Sequence, residues 1–366
     1  MHSPVFLDDN NSGEGIFKQI DFTFSQKVFV CTPEGVHNRS FTNVDFGDSF
    51  LIVDHSDDPI TQFSFELLHY PNLNINPEKI IVVSPSPDQL FYQEPGSPDY
   101  ITVNRKYKSP VKFKHIFCNG MFVKVKNLFD PNLVAEKQIS KLFISLSRKD
   151  KIERRLLNYL IHKNNLFDLG IVSHQRTLLD YSFNIKEDLK AFIKREDFDA
   201  NLYMKYGLRK HYVDNVFDYD GGIDYGTNIY DLVGYSKLIK NCLIELCVET
   251  NALDFLFITE KLLKPIVFKT PFLLMGCPYT LKYIRQLGFE TFGCVFDESY
   301  DEQPILYDRV QGVVTNLKQI STLSLQDAIK KFKITEEICN HNYDVFMNSD
   351  WSFDLQQKIE RAINVR

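Results

Sequence analysis

The sequence predicts an α/β fold built as two Rossmann-like domains facing a cleft. Three observations lead there. The length of 366 residues exceeds most single cores and suits two domains of ordinary size. Runs of β-branched and aromatic residues recur, unbroken and not alternating, as parallel strands covered on both faces require. Between them lie stretches with apolar residues at helical spacing, and strands alternating with helices indicate α/β architecture.

The first series of strands is read at KVFVCT (27–32), FLIVD (50–54), KIIVVS (79–84) and HIFCN (115–119). A second series follows at KLFISLS (141–147), GIVSH (170–174), LIELCVE (243–249), PFLLMG (271–276) and TFGCVFD (291–297). Lys151–Lys163 places Ile152, Leu156, Leu157, Leu160 and Ile161 on one side of a helix, and Thr280–Leu287 and Leu325–Phe332 carry similar stripes. The strand series is interrupted at PNLVAEKQISK, which sets the domains at 1–138 and 139–334. The remaining segment, 335–366, reads as helical and is expected to cross back to the first domain. No internal repeat of fixed period is present.

Composition narrows the class. Hydrophobic residues are 44% and charged residues 25% of the chain, ordinary for a globular protein. A net charge of -6 argues against general coating of nucleic acid while leaving room for a local basic patch. The seven cysteines are odd in number, form no CxxC and sit mostly in apolar runs such as those of Cys118 and Cys294. That pattern suits buried free thiols in a reducing compartment. The N-terminal segment lacks a basic region followed by an apolar one, and no run approaches a membrane span, so the expected location is cytoplasmic with no membrane partner.

The strongest local signal for chemistry is FITEKLLKPIVFKTPFLLMGCPYTLKYIRQLGFETF (257–292). Thr259 is placed to cap a helix running through Glu260–Leu263 and followed by Pro265. A helix start offers unpaired N–H groups and the positive end of a dipole, a natural seat for a diphosphate. Lys261 lies in the first turn, where the dipole disfavours a cation unless an anion is near. Glu260 is suited to accept from sugar hydroxyls. A capped helix with a solvated Glu–Lys pair explains the same peptide equally well.

TEKLLKPI, PFLLMG, LKYIRQLGFETF and DESYDE together resemble a segment of viral and bacterial glycosyltransferase-like proteins, and the TEK triplet is similar to the donor-side motif of the α1,3-fucosyltransferase family. The resemblance spans roughly 140–320 and includes LFISLSRKDKIERRLLNYLIHKNNLFDLGIVSH (142–174), similar to the strand, loop and helix that open their nucleotide-sugar domain. Ser147 stands where that pattern has Asn, while Arg148 and Arg154 are kept. LIELCVET corresponds to their strand ending in Glu-Thr. The resemblance implies a GT-B-like glycosyltransferase using a UDP- or GDP-sugar without a required metal. It implies that Arg148, Arg154, Glu249, Thr259, Glu260 and Lys261 hold the donor. Arg154 and Lys261 would stabilise charge on the departing diphosphate from positions lining a cleft. Arg155 is an equal candidate for the Arg154 role, and Glu249 alternatively caps the following turn.

Asp54 and His55, just past FLIVD, are candidates for the base that takes the acceptor's proton; a polar turn ending the strand is the competing reading. Asp218-x-Asp220 in VFDYDGG matches the carboxylate pair that holds a divalent cation in metal-dependent GT-A enzymes, and Gly221–Gly222 equally suits an ordinary turn. DESYDE (297–302) reads as a solvated acidic loop. Between Asp99 and Asp130 there is no carboxylate, but Arg105, Lys106, Lys108, Lys112, Lys114, Lys124 and Lys126 are present, interleaved with aromatics. Such a stretch either tracks a nucleic-acid backbone or forms the wet face of a strand. The acceptor is accordingly expected to be DNA carrying a hydroxymethylated base, otherwise a glycan. A metal-dependent enzyme and a non-catalytic sugar-nucleotide-binding protein are the alternatives.

Overall fold

Two all-parallel sheets organise the chain. The computed structural model describes residues 2–7, 23–31, 44–54, 79–84, 114–117, 120–147, 151–174, 190, 192–207, 232–250, 252–253 and 256–364. His55, Arg105, Lys106, Lys108, Lys112, Arg148, Asp218 and Asp220 lie outside these residues. The chain divides into two compact units: Met1–Asn127 with Asp254–Ile258 and Ser349–Arg366, and Leu128–Leu253 with Thr259–Asn348.

In the first unit, strands β1 (Val5–Phe6), β2 (Val28–Cys31), β3 (Phe50–Asp54), β4 (Ile80–Ser84) and β5 (Lys114–Phe117) lie side by side in chain order. Val28, Val30, Phe50, Ile52, Ile81, Val83 and Ile116 share one face and form a core with Val123 and with Leu355, Ile359 and Ile363. Residues between them, such as Leu51, Val53, Ile80 and Val82, are also buried. Burial of both faces is why these runs read as continuous apolar segments. Val123 belongs to helix α1 (Gly120–Leu128), a helix not expected from the local pattern.

The C-terminal helix of the chain, Trp351–Asn364, packs on this sheet through Leu355, Ile359 and Ile363, an i, i+4, i+8 stripe. Each such buried side chain contributes roughly 1.5–3 kcal/mol. Polar ties fix the same helix: Ser25 donates to Glu360 from its N–H (2.9 Å) and its hydroxyl (2.8 Å). The Trp351 ring meets Phe122 edge-on at 4.6 Å.

The second unit carries β6 (Lys141–Ser147), β7 (Gly170–His174), β8 (Cys242–Val248) and β9 (Phe272–Met275) in the order β7-β6-β8-β9. Among the described residues its α-helices of about two turns or more are α2 (Ile152–Lys163), α3 (Leu232–Ile239), α4 (Glu260–Val267), α5 (Thr280–Gln286), α6 (Leu306–Ser321), α7 (Leu325–Phe332) and α8 (Glu336–Asn348), and the helix at Trp351–Asn364 in the first unit is α9. Strand β6 pairs with β7 on one side and β8 on the other, so the order reverses there. In open parallel sheets such a reversal opens a crevice at the carboxyl ends of the two central strands. In the first sheet the described strands show no reversal.

Helix α2 departs from the one-sided helix expected. Glu153, Arg154, Arg155, Asn158 and Tyr159 are buried along with its leucines. The reason is a second cover: the turn of π-helix at Tyr203–Gly207 packs over α2, with Tyr203 hydroxyl accepting from Arg155 Nε at 3.4 Å and Tyr159 hydroxyl accepting the Asp199 N–H at 2.9 Å.

Helix α4 also differs from expectation, running on through Pro265 to Val267. A proline inside a helix leaves the carbonyl four residues back without its usual donor. Here that carbonyl belongs to Lys261, and the buried Cys247 thiol donates to it at 3.3 Å.

TFGCVFD is not a strand. Phe296 N–H and Val295 N–H both bond the Phe292 carbonyl at 3.0 Å, closing a turn. Its two phenylalanines are buried separately, Phe292 against Phe272 and Phe296 against Phe332. The turn leaves Cys294 exposed, against the expectation of burial, while the other described cysteines are buried and all are free. DESYDE is likewise no solvated loop. Glu298–Glu302 is a 3-10 turn in which Tyr300 and Asp301 are buried. Among the described residues no helix is long and apolar enough to cross a membrane.

Candidate functional site

Backbone chemistry at the end of β8 sets the site. Glu249 follows the last residue of β8, donates its N–H to the Met275 carbonyl at 2.9 Å, and is fully buried. A carboxylate taken out of water requires donors. They come from Thr259, whose N–H lies 3.1 Å and 3.2 Å from the two Glu249 oxygens and whose hydroxyl donates at 2.5 Å. Burial raises the Glu249 pKa, and the nearby Lys261 charge and the Thr259 bonds offset only part of that.

Thr259 is in turn the N-cap of α4. Its backbone is extended at φ -121°, and its hydroxyl oxygen accepts the Lys261 N–H at 3.4 Å. Lys261 is held on the same side: its ammonium donates to Glu260 Oε1 at 2.7 Å, Thr250 Oγ1 at 3.0 Å and Thr259 Oγ1 at 3.3 Å. Its side chain remains 22% exposed. Glu260 is buried; burial pushes its pKa up, but the Lys261 and Lys264 charges outweigh that and hold it below the usual range.

A second cation reaches the same point from the other central strand. Lys151 stands at the start of α2, the helix after β6, and donates its ammonium to the Thr250 carbonyl. The starts of α2 and α4 thus send one lysine each to Thr250, at the end of the strand beside the reversal. Sequence reasoning missed both Lys151 and Thr250. The available signal was Lys151 itself, a residue that supplies no side-chain cap at a position where Ser, Thr, Asp or Asn is favoured.

Arg309 on α6 was also missed, since nothing in the sequence suggested that helix. It is among the largest fully buried side chains described. Its guanidinium donates to the Gly276 carbonyl at 3.2 Å, to Gln303 at 2.6 Å, to Pro304 at 3.2 Å and to Ala252. The loops after β8 and β9 are therefore bound to one side chain.

The other sequence-selected residues are distributed as follows. Ser147 ends β6 and is buried. Arg154 is buried in α2, where a cleft-lining position was expected, with 3% of its surface exposed. Asp54 ends β3 in the first unit, in register with Val83, and is buried. Lys114 opens β5, whereas Lys124 and Lys126 are half-buried on α1. Lys126 donates its ammonium to the Ser349 carbonyl at 2.8 Å. The described basic residues of the 105–126 stretch thus belong to two different elements. Among the described residues no group of three or more His, Cys, Asp or Glu could hold a metal ion.

What the second unit assembles is two ammonium groups meeting at Thr250, a buried Glu260 that holds Lys261, a buried Glu249 that holds Thr259, and two helix starts. Such an arrangement can attract and orient an anion. No family model, curated protein or solved structure matches the chain.

Proposed function

We propose that the protein is a GT-B-type glycosyltransferase that binds a nucleoside diphosphate sugar at the carboxyl end of the β7-β6-β8-β9 sheet and transfers the sugar to an acceptor hydroxyl. The observation that carries this reading is the meeting of Lys151 and Lys261 on Thr250, next to the strand-order reversal. A sugar leaving its nucleotide deposits negative charge on the diphosphate, and cations already held in place stabilise that charge without reorganising. Glu249 and Glu260 fit as the groups that fix Thr259 and Lys261. The resemblance of TEKLLKPI and LIELCVET to glycosyltransferase segments supports the same assignment.

A second reading, sugar-nucleotide binding without transfer, draws on one observation: the Lys261 ammonium already makes three bonds within the protein. Transfer requires it to exchange at least one of them for a phosphate oxygen.

Thermal-shift measurements against UDP- and GDP-sugars test binding, because a ligand specific to the folded state raises its melting temperature. Transfer assays with hydroxymethylated DNA and glycan acceptors, with and without EDTA, then test catalysis. Lys261→Gln should lower kcat/KM by at least about tenfold. Binding without transfer to any acceptor favours the second reading. Absence of any shift removes the donor site, and activity lost in EDTA and restored by Mn²⁺ moves the reading to a metal-dependent enzyme.

A further inference from the structure

Three exposed apolar side chains stand on the loops that Arg309 gathers. Leu253 follows Ala252, Ile305 follows Pro304, and Tyr279 lies three residues beyond Gly276; they are 41%, 52% and 47% exposed. Arg309 binds the carbonyls of Ala252, Pro304 and Gly276, so the three loops are held around one guanidinium.

Tyr279 is held there at a cost. Its backbone sits at φ 66°, ψ 16°, a left-handed conformation disfavoured for a side chain of this size. Asp301 fixes that turn from two sides. Its carbonyl accepts the Tyr279 N–H at 2.8 Å, and its carboxylate accepts the Leu281 N–H at 2.9 Å. Thr280 locks the turn further by donating to the Cys277 carbonyl at 2.6 Å, and any Cβ on Gly276 would approach the Thr280 hydroxyl to 2.5 Å. The side chain is about half exposed, yet the backbone that carries it is hydrogen-bonded on both sides. Rigid presentation of an aromatic face lowers the ordering cost of binding a ring.

We infer that Tyr279, with Leu253 and Ile305 on the other two loops that Arg309 gathers, is the stacking platform for the base of a nucleotide whose diphosphate lies against Lys151 and Lys261. The inference rests on the donor-site reading above and extends it to the nucleoside. Leu253 is three residues past Thr250, so its backbone lies within about 10 Å of the two lysines' meeting point, within a nucleotide's reach. A planar π-face matches a base, and stacking tolerates any base.

The test uses the full chain and calorimetric titration with UDP, GDP and inorganic pyrophosphate. Wild-type protein should bind both nucleoside diphosphates at least about tenfold more tightly than pyrophosphate. Tyr279→Gly should erase on the order of tenfold of that preference and leave pyrophosphate binding unchanged, while Tyr279→Phe keeps it. The glycine variant should fold, because glycine accepts positive φ without strain, and an undiminished melting temperature checks this. Pyrophosphate binding with no gain from the nucleoside, or nucleoside diphosphate binding unchanged in Tyr279→Gly, overturns the platform and leaves the anion site standing. Failure of all three ligands to bind overturns the donor site and the platform together.

Discussion

Thr259 donates its hydroxyl to the Glu249 carboxylate at 2.5 Å while the same oxygen accepts the Lys261 N–H that starts α4. One side chain therefore caps a helix and satisfies a buried acid ten residues earlier in the chain. Thr259→Val keeps the shape and removes both bonds, together with the one the hydroxyl accepts from the Lys261 ammonium. Loss of an N-cap costs about 0.5–2 kcal/mol, and removing a donor from a buried acceptor costs about 1–3 kcal/mol. The urea midpoint should fall clearly in Thr259→Val and stay close to wild type in Thr259→Ser. An unchanged midpoint in the valine variant would show that the pair contributes nothing to stability.

Arg309→Met should be more damaging than any substitution at the exposed rim. It leaves four carbonyls without the guanidinium that gathers them, and each hydrogen bond to a charged group is worth about 1.5–3 kcal/mol. Expected results are a large drop in urea midpoint and, at permissive temperature, weaker binding of nucleoside diphosphates. A stable variant with normal affinity would detach the loop geometry from the site.

Much of this architecture was legible because parallel strands buried on both faces leave unbroken apolar runs. FLIVD and KLFISLS coincide with β3 and β6 in full, and LQDAIKKF with α7. Misreadings came where local pattern and tertiary role diverge. Phe292 and Phe296 in TFGCVFD looked like strand residues because burial by separate partners leaves the same apolar signature as a strand. Helix α6 escaped notice since its polar Arg309 and Asn316 are buried, which blurs the amphipathic stripe. At the site, Thr259 was legible as a cap. Its partner Glu249 lies across a loop, and the link between Lys151 and Thr250 spans 99 residues, a relation no local pattern encodes.

Glu245 makes a pH prediction. It is buried on β8 and accepts a hydrogen bond from the Tyr235 hydroxyl. Burial raises its pKa from the ordinary 4.5 to about 7, against the lowering effects of Tyr235, Lys264 and Lys261. A raised acid binds its proton more tightly in the folded chain, so stability is fully present below pH 4.5 and is lost as pH rises through 7. Asp301, raised by burial to about 7, acts in the same direction. Glu245→Gln keeps an acceptor for Tyr235 and cannot ionise. Its urea midpoint should fall less than that of wild type between pH 5 and pH 8. Parallel profiles for the two proteins would show that Glu245 does not titrate in this window.

The described basic residues of the 105–126 stretch divide between β5 and α1. Lys126 already serves the fold by holding the Ser349 carbonyl, and Lys124 and Lys126 lie two positions apart on α1, on different sides of a helix. They cannot together form one phosphate-tracking face. A nucleic-acid grip would therefore fall to Arg105, Lys106, Lys108, Lys112 and Lys114. Each phosphate neutralised steepens the dependence of log K on log salt by about 0.9 for duplex DNA. Replacing Lys112 and Lys114 with Gln should flatten that slope by close to two and raise the apparent KM for DNA, with donor binding unchanged. Lys126→Gln should instead lower the urea midpoint, through the lost bond to Ser349, with little change in salt slope. Filter binding of duplex and single-stranded DNA at two salt concentrations measures the slopes. No binding at low salt removes DNA as acceptor and leaves a glycan hydroxyl. Binding whose slope responds to Lys126 alone would place the contact on α1, away from the start of β5.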